Sequence, residues 1–179
     1  MTIFYTLLIL AGGQGRRMGG RDKGLVAVDG RPLIDQLLAA VTPAPGRIVI
    51  SANRNLPAYQ RRADTVVSDQ RSGYPGPMAG LEAALAVCQG PVLCLPCDLL
   101  APPAAMIAGL LNGLSPDQVQ VAEDDHGLQP LCMALHAQPW QASISAYLDG
   151  GGRSVRGWLQ GVPLEKVRIG GELQNRNRV

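Results

Sequence analysis

The chain is expected to adopt an α/β fold, with a mostly parallel sheet and helices on both faces. Three observations lead there. Short, apolar, β-rich runs alternate with segments of helical period along the chain. The first run, Thr2–Leu10, is almost wholly apolar, as a strand covered on both faces must be. No internal repeat, low-complexity tract or linker interrupts the alternation, so residues 1–179 are expected to form a single domain around one core.

The elements follow in order. After Thr2–Leu10 comes a glycine-rich loop, then Leu25–Val28 and a turn at Asp29-Gly30. Pro32–Val41 reads as a helix because Leu33, Leu37, Leu38 and Val41 recur at helical spacing, and Pro43 and Pro45 close it. Arg47–Ser51 and Thr65–Ser68 read as short strands. Pro75–Pro77 makes a turn that launches a helix through Met78, Leu81, Leu85 and Cys88. Pro91–Pro96 is a further buried strand, and Pro102–Asn112 a helix. Val119–Glu123 and Leu131–His136 read as strands with Asp124–Gly127 between them, a hairpin-like region that adds an antiparallel element. Gln141–Leu148 and Ser154–Gln160 are helices around Gly150–Gly152, and Glu165–Ile169 is a last short strand.

Composition narrows the function classes. Hydrophobic residues make up 46% and charged residues 17%, a globular balance. Aromatics are only 4%, so the core has to come from Leu, Val, Ile and Ala, and no base-stacking platform for nucleic acid is expected. A net charge of +2 is too weak to coat a phosphate backbone. The local cluster Arg16, Arg17, Arg21 and Lys23 instead suits a single polyphosphate. The apolar run Ile3–Ala11 is far shorter than the ~20 residues that span a bilayer. No basic segment precedes it and a glycine-rich loop follows, so neither a membrane anchor nor a signal peptide is expected. A cytoplasmic protein with reduced thiols follows from this. Cys94 and Cys97 form a C-x-x-C, but they lie in an apolar strand and no second cysteine pair completes four zinc ligands. His126 and His136 are not spaced like finger ligands either. Buried structural thiols are the expected reading.

Ligands of open parallel sheets bind beyond the carboxyl ends of the strands. After the first strand comes Ala11-Gly12-Gly13, after the second Ser51-Ala52-Asn53, after the third Asp69, and after the fourth Pro96-Cys97-Asp98. The first loop is the densest. Gly12, Gly13, Gly15, Gly19 and Gly20 let the backbone approach a ligand, and successive N–H groups can cradle phosphate oxygens. A flexible surface loop would explain the glycines but not the arginines and lysine among them. Two familiar phosphate loops are excluded. Lys23 is followed by Gly24 rather than Ser or Thr, and Gly13, Gly15 and Gly19 are spaced one residue too widely for a dinucleotide fingerprint. Asp98 ends a buried strand, where an unpaired carboxylate is costly. It reads either as a Mg²⁺ ligand shared with substrate phosphates or as a helix N-cap, and Asp69 carries the same two readings.

Leu10-Ala11-Gly12-Gly13, with Arg17-Met18-Gly19-Gly20 and Asp22-Lys23-Gly24 after it, closely resembles the signature loop of the molybdenum cofactor guanylyltransferases, the MobA family. Gly73-Tyr74-Pro75-Gly76-Pro77-Met78-Ala79-Gly80 resembles a second hallmark and Pro96-Cys97-Asp98 a third. Gln129-Pro130-Leu131 is a weaker fourth. The motifs stand in family order from Leu10 to about Ile169. The resemblance implies a Rossmann-like three-layer sandwich with a mostly parallel sheet. It implies transfer of GMP from GTP to molybdenum–molybdopterin, giving the guanine dinucleotide cofactor and pyrophosphate. By the same resemblance Leu10, Ala11, Gly12 and Gly13 hold GTP, together with Asn53, Asp69 and Asn177. Lys23 contacts the phosphates, Arg17 neutralises the transition state, and Asp98 holds Mg²⁺. Molybdenum-insertion proteins and molybdoenzyme apoproteins are the protein partners it brings in; nucleic acid and membrane are not.

Two departures stand out. The family usually carries Asn-x-Asn-Arg after the second strand, whereas this chain has Ser51-Ala52-Asn53-Arg54, one hydroxyl in place of an amide's paired donor and acceptor. Asn175-Arg176-Asn177 matches a family Asn-x-Asn element, but the Pro-Glu helix that usually follows is not in this sequence, which ends at Val179. The alternatives to the guanylyl reading are a cytidylyltransferase acting on the same pterin, a sugar-phosphate nucleotidyltransferase, and a non-catalytic nucleotide or cofactor chaperone. Ala11-Gly12-Gly13, where cytidylyl relatives tend to have Ala-Ala-Gly, and the Tyr-Pro-Gly-Pro block favour the guanylyl reading.

Overall fold

Thr6–Leu10 has no polar alternation, so its residues are satisfied only where both faces are covered. It forms strand β1, and all five residues are buried. In the computed structural model, which describes residues 4–12, 22–73 and 76–175, this strand lies inside a seven-stranded sheet. Its neighbours are β4 (Arg47–Ser51) and β6 (Pro91–Pro96), both parallel to it. Beyond β4 lies β5 (Thr65–Val67). Beyond β6 come β8 (Gly127–His136), β7 (Val119–Asp124) and β9 (Leu164–Arg168). Only β8 runs antiparallel to the rest, so the sheet is mostly parallel, as expected. A separate ribbon pairs β2 (Ala27–Val28) with β3 (Arg31–Pro32) across the turn Asp29-Gly30. Both turn residues have positive φ (50° and 77°), which matches the twist of a two-residue hairpin.

Side chains alternate across each strand, and the sheet therefore builds two cores. Leu7 and Ile9 of β1 and Leu93 and Leu95 of β6 face α1 (Leu33–Ala40), Tyr59 of α2 (Leu56–Gln60) and α4 (Ala104–Leu111). Leu8, Val92, Cys94 and Val121 face the other way. They meet α3 (Pro77–Leu85), α5 (Ala137–Asp149) and α6 (Val155–Leu159). Trp140 and Trp158 meet edge to face in this second core, with centroids 6.0 Å apart. The result is the three-layer sandwich the resemblance implied. The aliphatic core expected from composition is present, with Tyr5, Tyr59 and both tryptophans buried in it as well.

Several element limits differ from the sequence reading. α2 was not expected: its five residues are too few for a readable period, and it exists because Leu56 and Tyr59 have a core to reach. α5 begins at Ala137 instead of Gln141, since Pro139 is tolerated in a first turn. β8 begins at Gly127 instead of Leu131. Pro130 fits inside it because the β7–β8 register shifts between the pairs Val121↔Met133 and Glu123↔Leu128, where no ladder donor is needed. Among the described residues no helix is long and apolar enough to cross a membrane.

Ile9 is fully buried on the central strand. Ile9→Ala is expected to lower the unfolding free energy by about 2–5 kcal/mol, the usual cost of such a cavity. Urea denaturation followed by circular dichroism measures it.

Candidate active site

The carboxyl ends of the central strands lie level with one another. Leu10 of β1 pairs with Ser51 of β4 and with Pro96 of β6. The ladder runs one residue further on each side: Ala11 N donates to Ser51 O (2.8 Å), Cys97 N to Leu10 O (3.2 Å), and Ala52 N to Val67 O (2.9 Å). Beyond that edge the chain turns away to both sides, and a cavity of about 390 Å³ opens. Leu10, Ala11 and Gly12 form one wall, and Lys23, Cys97 and Asp98 another. Ser51, Asp69 and the start of α3 complete it.

Asp98 is 6% exposed, and Lys23 Nζ lies 2.5 Å from its Oδ2. Lys23 stands in the 3-10 turn Lys23–Leu25, so this ion pair joins the exit of the glycine-rich loop to the end of β6. The N-cap reading of Asp98 is not what the fold uses: α4 starts six residues later, and Pro103 occupies its cap. Asp69 does not cap a helix either. Asn53 Nδ2 donates to Asp69 Oδ2, and Asp69 N donates to Asn53 Oδ1, both at 2.9 Å. The same amide nitrogen reaches Gly12 O at 3.4 Å. Burial pushes the Asp69 carboxyl above the ordinary carboxylate value, and the Asn53 amide only partly opposes it.

Of the expected site residues, Leu10, Ala11, Gly12, Lys23, Asp69 and Asp98 all line the cavity. Asn53 does not line it; it fixes Asp69 against the Gly12 carbonyl. Gly13, Arg17 and Asn177 lie outside the described residues, although Asn175 bridges to Leu99 and so brings the C-terminal segment beside Asp98. In the sequence Ser51 stands at a strand end and departs from the family motif, with no role of its own assigned. In the fold it is fully buried, lines the cavity, and its hydroxyl has no partner among the described residues. Gly80 is the reason it fits. A Cβ there would stand 2.5 Å from Ser51 Oγ, so helix α3 can approach β4 this closely only through glycine.

The loop after β5 is tied back from behind. Arg71 forks onto Glu82 of α3 (2.7 Å twice) and reaches Asp149 at the end of α5 (2.7 Å). Its guanidinium holds the Glu82 carboxyl below the usual carboxylate range. Asp124 ties down the other margin. Burial disfavours its charge, but the Leu173 N–H, the Gln129 amide and the His126 N–H outweigh that and hold its carboxyl low.

All four cysteines are free and buried, as expected of structural thiols. Burial and the neighbouring Asp98 push the Cys97 thiol up to about 12, so it carries no thiolate at neutral pH. Among the described residues no group of three or more His, Cys, Asp or Glu side chains could hold a metal by itself. Asp98 is instead a single buried carboxylate beside a cavity. That donor set fits Mg²⁺, which takes one or two carboxylates and completes its shell with substrate phosphates and water.

The sequence profile of the MobA-like NTP transferase domain matches residues 7–163. The chain belongs to that family. It is 38% identical over 161 residues to a molybdenum cofactor guanylyltransferase of Shewanella halifaxensis, a match covering 88% of this chain and 80% of the relative. A molybdenum cofactor guanylyltransferase of Shewanella frigidimarina is 41% identical over 156 residues, covering 86% and 79%. Among solved structures, molybdopterin-guanine dinucleotide biosynthesis protein A from Archaeoglobus fulgidus superposes with a TM-score of 0.70 at 21% identity, covering 92% of this chain and 83% of that one. The 2-C-methyl-D-erythritol 4-phosphate cytidylyltransferase of Thermus thermophilus gives 0.66 at 13% identity, covering 90% and 87%. At such identities the likeness is one of fold, and guanylyl and cytidylyl enzymes share it. Within the MobA-like family a divalent metal is the usual companion of the nucleotide.

The raised Asp69 carboxyl has a consequence for stability. Its folded pKa lies above its unfolded one, so ionisation penalises the folded state. The penalty is absent below the ordinary value of 3.8 and complete once the pH has risen through the folded pKa. Asp69→Asn is therefore expected to melt higher than the parent at neutral pH, with the difference vanishing below pH 3.8. Paired thermal melts across that range check it.

Proposed function

We propose that this protein transfers GMP from GTP to molybdenum–molybdopterin, forming the guanine dinucleotide form of the cofactor and releasing pyrophosphate. The observation that carries the reading is the pairing of Lys23 with Asp98 on one wall of a cavity at the sheet's switch point. It occurs in a chain 38% identical to molybdenum cofactor guanylyltransferases over most of its length.

A pterin phosphate oxygen attacks the α-phosphorus of GTP, and the bond from that phosphorus to the bridging oxygen of the leaving pyrophosphate breaks. Little covalent work falls to the protein, so its side chains position the reactants and offset charge. Leu10, Ala11, Gly12 and Gly13 would pass their backbone along the nucleotide. Lys23 and Arg17 would face the phosphates, Asn53 would hold Asp69 toward the nucleoside, and Asn177 would add a contact to the nucleotide. Asp98 would hold Mg²⁺, which supplies charge neutralisation at the phosphates and the leaving group when bound. Before the nucleotide arrives, the Lys23 ammonium performs that service for Asp98, so the buried carboxylate is never left uncompensated.

The reading places the protein in the cytoplasm. Molybdenum-insertion proteins would supply its substrate, and molybdoenzyme apoproteins would receive its product.

Purified protein with Mg²⁺ and molybdenum–molybdopterin is expected to yield the guanine dinucleotide with GTP and no dinucleotide with CTP, read by mass spectrometry. A cytosine product would move the chain to the sister activity. No product from either, with folded protein and competent pterin, would favour a binding role or another acceptor. Asp98→Asn and Lys23→Ala are each expected to lower turnover by roughly 10²-fold or more, the scale of losing one electrostatic contact to a transition state. Their circular dichroism should stay that of the parent. Turnover that survives Asp98→Asn would remove Asp98 from the metal role.

A further inference from the structure

Next to Lys23 in the chain, outside the cavity lining, lies a polar cluster around the buried Asp22 that no role assigned above accounts for. Asp22 precedes Lys23 in the chain and is only 9% exposed. Its Oδ1 accepts a short hydrogen bond from the Tyr59 hydroxyl, and its Oδ2 accepts from Asn55 Nδ2 at 2.9 Å. Arg54 Nε stands 4.0 Å from the same oxygen. Tyr59 is fully buried, and burial together with the Asp22 carboxylate holds its hydroxyl protonated well beyond physiological pH. It is therefore a permanent donor. Asn55 adopts a left-handed backbone conformation (φ 52°) at the start of α2, which asparagine tolerates better than most residues. Gly24, on the other side of Lys23, is packed against the same tyrosine: a Cβ there would stand 2.7 Å from its hydroxyl oxygen.

The residues on both sides of Lys23 are thus held by one tyrosine, and an asparagine adds a second hold on Asp22. Asp22, Asn55 and Tyr59 do not line the cavity. A buried carboxylate with polar partners is seldom the stable choice where apolar side chains could fill the space. Here it sits one residue from Lys23, the only lysine among the described residues of the cavity wall. A lysine side chain is long and rotamer-rich, so a fixed backbone is what makes its ammonium position reproducible.

We infer that Asp22, Tyr59 and Asn55 are positioning residues that act through Lys23, locking the turn that aims its ammonium at Asp98 and at a bound triphosphate. The inference rests on the role proposed for Lys23 above. Sequence inspection could not assemble the cluster, because Asp22 and Tyr59 are 37 positions apart and α2 has no readable period.

A double-mutant cycle with Lys23→Ala tests it. Tyr59→Phe removes one oxygen atom and keeps the buried ring. It is expected to lower kcat/KM for GTP by roughly tenfold in the parent and by less than about twofold in the Lys23→Ala background, because residues that act through one group are not additive. A purely structural role would give equal losses in both backgrounds and would overturn the inference, as would full activity of Tyr59→Phe. Should Tyr59→Phe melt far below the parent, Asp22→Asn takes its place in the cycle. The same four proteins are titrated with Mg·GTP by calorimetry, where the same non-additivity is expected in affinity. Absence of dinucleotide product from the parent would sink the proposed reaction alone. The binding cycle would still decide for or against positioning of Lys23.

Discussion

β1 exchanges backbone hydrogen bonds with β4 on one side and with β6 on the other, and both ladders end at Leu10. The geometry of the cavity follows from that shared end point. Parallel strands cannot be joined by a tight turn, so each connection must cross a face of the sheet. α1 crosses over one face on the way from β1 to β4, and α3 crosses over the other on the way from β5 to β6. The chain leaves β1 toward α1 and leaves β5 toward α3, on opposite faces, and among the described residues an open cavity lies beyond these strand ends. Ala11, Ala52 and Cys97 keep their N–H groups satisfied by one further rung, and Gly12 and Asp98 are the first residues past it on the cavity wall.

Carboxylates gather at this edge, and the fold treats each differently. Asp98 has a cation within 2.5 Å. Asp22 has a buried phenol and an amide. Asp69 has an amide and a hydrogen bond through its own backbone, and its carboxyl is driven up by burial. An apolar core would be easier to stabilise, and charge concentrated against a closed sheet edge is a cost that binding and catalysis commonly impose. The surrounding ties distribute that cost. Arg71 anchors the loop after β5 to two helices, and Asp124 anchors the C-terminal segment. Neither tie lines the cavity.

Much of this was legible beforehand. Strand positions, the α/β class, the four strand ends that carry the chemistry and the structural nature of the cysteines all come from local pattern. Periodicity and chain order suffice for them, because a strand covered on both faces must be apolar and a parallel connection must cross over. Ala11, Gly12, Asp69 and Asp98 stood out by following strand ends and Lys23 by the basic cluster of the glycine-rich loop, whereas Leu10 and the role of each came from the family resemblance.

What the tertiary structure decided are the pairings between distant segments. Whether Asp98 caps a helix or meets Lys23 depends on where α4 begins, and Pro103 rather than Asp98 takes the cap. Whether Asn53 faces ligand or supports Asp69 depends on the spacing of β4 and β5. Ser51 became part of the cavity wall only when Gly80 let α3 approach it. α2, invisible as a pattern, supplies the tyrosine that grips Asp22. Sequence by itself determined which residues end up at the working edge, because burial and period act along the chain. Their partners were decided by tertiary structure, because a hydrogen bond or ion pair depends on distance in space, which packing alone sets.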